Sequence, residues 1–508
     1  MVLVSTSGNQ RYVFASNKLR EAVGASHLVA MSTTEWVRGA LPTGADVLQE
    51  SSGTTLVQVA DEDQAHELAR VLTRTAQDKA PGLDLSVVSV PVAGEQVRQH
   101  DVDEVFREGH RHRARHPSAL VRFPRLPVAA SCASTDLPAM GWHSDSGARK
   151  DGSYPDGETP QALSAEVIAK RRARPDAVKS VEQMLARNGA TQGMGLIKLD
   201  DFFDKVEWSA VVHADGNRLG ALFQSAIEHL SPAELSQLSR DVATVAERAF
   251  CDAVVALSTL VSKDDESLPV VPLVIGGDDL TMLVEGRYAL GVVDAYLRGF
   301  SRHAAESELI GLASKLAGRA ALTVSAGVAI VKPHFPFSVA YRLSEELCQS
   351  AKRLVAKHPG CHGLDAHVLL DSVITSLDAI RNGYLVERDE RIELTQRPYL
   401  LPVVDDGVPP AHDWTHVLKK LRMVQQVRSG DDLVVTRTQL HALREELRVD
   451  PERAQRRLAD LHARVTEERD RDVLRAIAGD PPLAVTDGSS ALLDLLELAP
   501  FAGSAVAR

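Results

Sequence analysis

The segment Leu273-Val274-Ile275-Gly276-Gly277-Asp278-Asp279-Leu280-Thr281-Met282-Leu283-Val284 joins two apolar runs through a turn that carries adjacent carboxylates. The runs read as paired, largely buried strands, and glycines at the tip remove side chains so that a ligand can approach the backbone. Neighbouring aspartates are poor strand formers and repel one another, a conflict that a divalent cation relieves. An ordinary hairpin with a glycine and aspartate turn is the plain alternative.

A second element upstream favours the chemical reading. Trp208-Ser209-Ala210-Val211-Val212-His213-Ala214-Asp215-Gly216-Asn217 reads as an apolar strand ending in an aspartate and a glycine turn, followed by an amphipathic run over 221–227. Asn217 is placed to cap that helix, whose first-turn amides suit a phosphate. Two-metal phosphoryl chemistry needs hard oxygen ligands held close together, with nucleotide phosphates supplying the remainder. Asp215, Asp278 and Asp279 meet that need if their strands are neighbours. Gly216 adds a carbonyl oxygen, while Gly276 and Gly277 leave space for a base or phosphate. Successive strand residues point to opposite faces, so Asp279 ranks below Asp278 as a direct ligand.

The elements that must position these residues are bounded by the whole chain. Its 508 residues allow about three domains. No run of ~18 apolar residues occurs, and the N-terminus lacks a charged region followed by a long apolar core, so a soluble cytoplasmic protein without a membrane span is expected. Cys132, Cys251, Cys348 and Cys361 form no C-x-x-C pair, which argues against a disulfide framework or a cysteine-rich zinc site. With 57 basic and 69 acidic residues, a net charge of -12 argues against nucleic-acid binding over the whole surface but leaves room for a local basic groove.

Along the chain, residues 10–14 read as a short strand and 16–29 as a helix capped by Ser16 or Asn17. A strand at 52–59, a helix at 61–75 and a strand at 83–92 follow. The same order recurs after the Gly-Gly-Asp-Asp hairpin, with a helix at 287–305 and a strand at 321–330. Aligning Gly53 with Gly277 sets Thr54 and Thr55 opposite Asp278 and Asp279, so we expect two related αβ modules, only the second catalytic. Residues 141–155 are polar and turn-rich, as an exposed linker would be. After about residue 384 the strand signals fade, and 436–468 reads as amphipathic helices, with Leu440, Leu443 and Leu447 on one stripe and Leu458 and Leu461 on another.

Taken with Ser16-Asn17-Lys18-Leu19-Arg20-Glu21, Ala326-Gly327-Val328-Ala329-Ile330-Val331-Lys332-Pro333-His334-Phe335-Pro336-Phe337 and Glu345-Glu346-Leu347-Cys348-Gln349-Ser350-Ala351-Lys352, the two acidic motifs give a pattern that is specific as an ordered set. The chain resembles the polymerase-like large subunit of type III CRISPR effector complexes, and more closely the shorter proteins carrying its second palm domain. The resemblance covers roughly 8–400 and is strongest in 205–360. It implies an α+β fold with two ferredoxin-like palm domains of the nucleotide-cyclase and polymerase kind and a helical C-terminal region. The expected divisions are a degenerate first palm at 1–130, a linker and helical insert at 131–195, a second palm at 196–385 and a helical domain at 386–508.

The same resemblance implies a nucleotidyltransferase of antiviral defence that converts ATP into cyclic oligoadenylate with Mg2+ or Mn2+ and releases pyrophosphate. The sequence leaves open another nucleoside triphosphate as substrate. Asp215, Asp278 and Asp279 match its metal-binding acids, and Lys352 matches a basic residue that contacts phosphate, although a lone helix lysine is also an ordinary solvated charge. RNA or effector-complex subunits are the implied partners, and a homo-oligomer stays open.

This sequence departs from the large subunits in showing neither a His-Asp nuclease domain nor a cysteine-rich zinc element. His100-Asp101 and His412-Asp413 are isolated dipeptides. The cluster His110-Arg111-His112-Arg113-Ala114-Arg115-His116 is expected to be a solvated helix face rather than an RNA or metal site. Adjacent aspartates at 429–432 read as a turn, and 263–267 as an exposed loop. The rivals are a dinucleotide cyclase of the GGDEF kind and a catalytically silent scaffold that binds RNA or protein.

Overall fold

The computed structural model describes residues 1–508 apart from 93, 95–96, 123–127, 145–158, 191–193, 263–266, 371–375, 388–390, 405–406, 429–441, 444, 447–448, 465–467, 469–470, 473–474, 476–488 and 504–508. The expected turn at 429–432, the loop at 263–266, Leu440, Leu447 and the later part of the 141–155 linker lie outside the described residues.

Three consecutive buried residues, Val2, Leu3 and Val4, open strand β1 (Val2–Ser7). The strand expected at 10–14 is instead a short helix, Asn9–Val13, that buries Tyr12 and Val13. A run buried on both faces shows no alternation, so periodicity overlooks it. Helix α1 (Leu19–Thr33) starts at Lys18 without a side-chain cap, because Ser16 donates to Glu21 at 2.6 Å instead. Then come β2 (Asp46–Ser51), β3 (Thr54–Gln58), α2 (Glu62–Lys79) capped by Asp61, β4 (Asp84–Ser89) and α3 (Gln99–Arg115). The sheet order β2-β3-β1-β4, antiparallel throughout, is that of a ferredoxin-like module. Helix α4 (Ala165–Arg187) crosses α1 so closely that a Cβ at Gly24 would overlap the Lys170 carbonyl.

The second sheet is built from β5 (Ser209–Gly216), followed by helices α5 (Leu219–Ile227) and α6 (Pro232–Leu260), and from β6 (Val270–Gly276) and β7 (Asp279–Glu285). After α7 (Ala289–Glu306) come β8 (Val324–Val331), α8 (Phe337–Val355), β9 (Cys361–Val368) and β10 (Tyr399–Pro402). The order is β6-β7-β5-β8-β9-β10, with only β8 and β9 parallel. Its first four members repeat the connectivity of the first sheet. The sixth strand lies beyond residue 385, so the sheet outlasts both the expected module and the fading of strand signals.

Residues Ala210, Val212 and Ala214 of β5 point into the core shared with α6 and α7, whereas Val211 joins Leu283, Phe337 and Tyr341 on the opposite face. Helix α8 lies hard against that second face. A Cβ at Gly327 would overlap the Ser344 carbonyl and the Cys348 amide. Phe14 of the first module packs on the same helix, its ring 4.1 Å from Tyr341 and 5.4 Å from Phe337.

The C-terminal part supplies α9 (Trp414–Arg428), α10 (Pro451–Arg464) with Leu458 and Leu461 buried, and α11 (Leu492–Leu498). A fully buried ionic network holds α11 to the second module. Arg397 reaches Asp494 at 2.8 Å and Glu497 at 3.1 Å, and the Tyr399 hydroxyl donates to Asp494 at 2.8 Å. Removing one member of such a network strands a buried charge. All four cysteines are buried and none forms a disulfide, and among the described residues no helix is long and apolar enough to cross a membrane.

The close approach of α8 yields a prediction. Gly327→Ala should lower stability by about 1–3 kcal/mol through overpacking, read as a drop in Tm. An unchanged Tm would mean that helix and strand do not meet there.

Candidate active site

The ladder between β5 and β7 runs through the pair Ala214–Leu280. The next residues outward, Asp215 and Asp279, therefore face one another at its end. One step further, the Gly216 amide donates to the Asp278 carboxylate at 3.2 Å. This approach requires glycine, since a Cβ at Gly216 would stand 2.5 Å from Asp278 Oδ2. Gly277 takes φ +64 in the turn between Gly276 and Asp279, a conformation costly for other residues. Each of the three aspartates offers a carboxylate oxygen within 4.8 Å of the others. Asp279 shares a face with Asp215, so the geometric ground for ranking it below Asp278 does not hold.

Lys352, from α8, donates to the Asp215 carboxylate and to the Gly216 carbonyl, the latter at 3.1 Å. Burial lowers its pKa, but the charge and hydrogen bond of Asp215, joined by the Cys348 and Asp278 charges, together outweigh that and hold the ammonium above its ordinary value. Burial first, and then the Asp215 charge, push Asp278 up to about 6. The same causes, joined by Asp278, drive Asp279 well above the carboxylate range. Behind them, burial depresses His213 to about 4, which leaves it neutral, with Nδ1 3.2 Å from Thr281 Oγ1. Three hard oxygen donors brought together, two of them made costly to ionise by burial and then by neighbouring charge, form a donor set suited to Mg2+ or Mn2+.

Two sequence expectations need correction. Asn217 does not cap α5; Arg218 occupies that position with φ 55 and provides no side-chain cap. The buried Asn217 amide instead donates to Thr323 Oγ1 at 2.9 Å and accepts from Ser325 Oγ at 2.8 Å, tying the end of β5 to the start of β8. At Gly276 the room expected for a nucleotide is taken up by the first module. A Cβ there would meet the Ser52 Cβ at 2.5 Å, and one at Gly277 would lie 3.4 Å from that of Ser51. The two hairpins thus touch tip to tip, a contact that no local sequence signal announces.

The internal repeat is sharper than the sequence suggests, and shifted by one residue. Ser51–Thr54 closes the first hairpin as Gly276–Asp279 closes the second, so Gly53 corresponds to Asp278 and Thr54 to Asp279. Ser5 pairs with Thr54 and Ser86, just as Asp215 faces Asp279 and pairs with Ser325. Gly8 at φ 62 stands where Arg218 stands at φ 55. The sequence spacing from Ser86 to Arg113 equals that from Ser325 to Lys352, and Arg113 donates to Ser5 Oγ at 3.1 Å. Arg113 therefore does not belong to a solvated helix face as expected. The first module keeps the layout with Ser5, Gly53 and Thr54 in place of the three acids.

With that geometry established, residues 208–358 match the family described as Cas10/Cmr2, second palm domain. This segment is similar to that family. Crystal structures similar in fold to the whole chain include a Csm1–Csm4 cassette in complex with cA4, with TM-score 0.53, 13% identity, and coverage of 99% of this chain and 69% of that one. The cassette in complex with AMPPNP gives 0.51, 14%, 98% and 69%, and that in complex with one ATP gives 0.51, 13%, 99% and 70%. No curated protein matches the chain. The sequence resemblance to the type III large subunit, and the α+β architecture of Cas10 palms with a helical region, both hold.

The crowding of carboxylates generates a prediction. Asp278 titrates near 6 when folded against an ordinary 3.8. The folded state thus binds more protons in this window, and its stability falls as pH rises through it. Asp278→Asn should raise Tm by about 2–4 °C at pH 7, with the gain vanishing below pH 3.8, while Mn2+ should raise the Tm of the unsubstituted chain and not of this variant. A variant no more stable than its parent at neutral pH would contradict the crowding.

Proposed function

We propose that this chain is a metal-dependent nucleotidyltransferase that joins ATP into a cyclic oligoadenylate messenger and releases pyrophosphate, within type III CRISPR antiviral defence. The observation that carries the reading is the convergence of Asp215, Asp278 and Asp279 at one ladder end, inside a segment similar to the Cas10/Cmr2 second palm family. Structures of like fold in complex with ATP and cA4 support it.

In this reading the three carboxylates, with the Gly216 carbonyl, hold Mg2+ or Mn2+. When bound, the ion lowers the pKa of the attacking ribose hydroxyl and offsets charge on the triphosphate. Gly216 and Gly277 let the turn close over the site, and Lys352 places a cation where phosphate charge accumulates. Neutral His213 and Thr281 keep the inner wall uncharged. Asn217 acts as a positioning residue by fixing the end of β5. We place the first palm in 1–130, the linker in 131–195, the catalytic palm from 196 through its sixth strand, which ends at Pro402, and the helical part after it. Effector-complex subunits are the proposed partners, in keeping with Csm1–Csm4 cassettes of like fold.

Full-length protein given ATP and Mn2+ should release pyrophosphate and yield cyclic oligoadenylates by mass spectrometry. Asp278→Ala should cut the release by about a hundredfold or more. Cyclic dinucleotides as products would favour the GGDEF-like alternative. Equal release from the variant would remove the basis of the enzyme reading and leave a binding scaffold.

A further inference from the structure

Two cations meet at the loop that ends β5, and the carboxylate site does not explain their role. Arg218, exposed and adjoining the first turn of α5, has φ 55 and is the one non-glycine residue with a positive φ among the described residues. Left-handed backbone is disfavoured for a side chain of this kind, and the counterpart position in the first module is Gly8, at φ 62. The same turn is therefore made without strain elsewhere in this chain. An arginine at the strained position needs a reason that lies in its side chain.

Arg319 approaches the same loop from the turn after the helix Glu308–Leu316, and its guanidinium donates to the Asn217 carbonyl at 2.9 Å. Burial, and then the adjacent Arg218 charge, lower its pKa from the ordinary value. Like charges held together, one of them half-buried, are unfavourable unless an anion joins them. Among the described residues neither arginine pairs with a carboxylate. Consecutive carbonyls of the loop, Gly216 and Asn217, hold Lys352 and Arg319 in turn, and Arg218 follows directly. Three cations thus flank the strand end that carries Asp215.

We propose that Arg218 and Arg319 form a clamp for the terminal phosphates of the nucleoside triphosphate whose reacting phosphate lies at Asp215, Asp278 and Asp279. The inference rests on the nucleotidyltransferase reading and names the residues that recognise the polyphosphate tail. Planar guanidiniums suit this task because each can give a pair of hydrogen bonds to phosphate oxygens. The chemistry recognised is a chain of phosphoanhydrides, so a substrate triphosphate should bind here and a phosphodiester of the growing product should not.

The test uses the full chain and inorganic tripolyphosphate, followed by calorimetry in EDTA, with ApA as the phosphodiester arm. Arg319→Ala and Arg218→Gly should each weaken tripolyphosphate binding on the order of tenfold, and Arg319→Lys should recover part of the loss. Arg218→Gly should also leave Tm unchanged or raise it, because glycine accepts the left-handed backbone, which separates lost recognition from lost folding. Tripolyphosphate binding that is absent from the parent chain, as tight in both variants as in the parent, or matched by ApA overturns the clamp. If tripolyphosphate binds as expected while the parent chain releases no pyrophosphate from ATP, the nucleotidyltransferase reading fails and the anion site stands.

Discussion

Mutual repulsion among three carboxylates at the end of one antiparallel ladder is the constraint around which the second module is arranged. Asp215 and Asp279 face each other because the ladder is in register through Ala214–Leu280, and Asp278 is drawn in by the Gly216 amide. The cost is met locally. Lys352 comes from α8, which can lie near enough only because Gly327 has no side chain. Asn217 then locks the strand end to β8 with a buried amide that gives and accepts one hydrogen bond each. Neutral His213 avoids adding a further charge.

The first module shows what the same scaffold does without that repulsion. Ser5 pairs with Ser86 as Asp215 pairs with Ser325, and Gly53 and Thr54 occupy the places of the acidic pair. Arg113 contacts the Ser5 hydroxyl from the helix position equivalent to that of Lys352. Topology, register and the basic helix residue are common to both halves, and the acids are exchanged at three positions. Two halves of one fold can thus differ by the exchange of acids for small neutral residues.

The acidic motifs were legible in the sequence because glycine and aspartate at the junction of apolar runs have few structural uses. The second sheet was legible for the same reason, since β5, β6, β7 and β8 are long apolar runs with clear ends. The first strand leaves no such signal, since Val2, Leu3 and Val4 are buried on both faces and do not alternate, whereas the strand-favouring Tyr12 and Val13 lie in a short helix. The register of the repeat was off by one residue because the two turns place their left-handed glycine differently, at Gly53 in the second tip position and at Gly277 in the first. Contacts between distant segments, such as Ser52 with Gly276, leave no local trace. The cap assigned to Asn217 failed because tertiary hydrogen bonds to Thr323 and Ser325 outcompeted a local one.

The meeting of hairpins has a consequence for how the two halves can move. Ser52 rests on the bare α-carbon of Gly276, two residues from Asp278, without any cushion of side-chain atoms between them. Rotation of one sheet relative to the other cannot be absorbed at that bearing and must be transmitted to the acidic turn. A partner that gripped only the first half would thereby have mechanical purchase on the spacing of the three carboxylates.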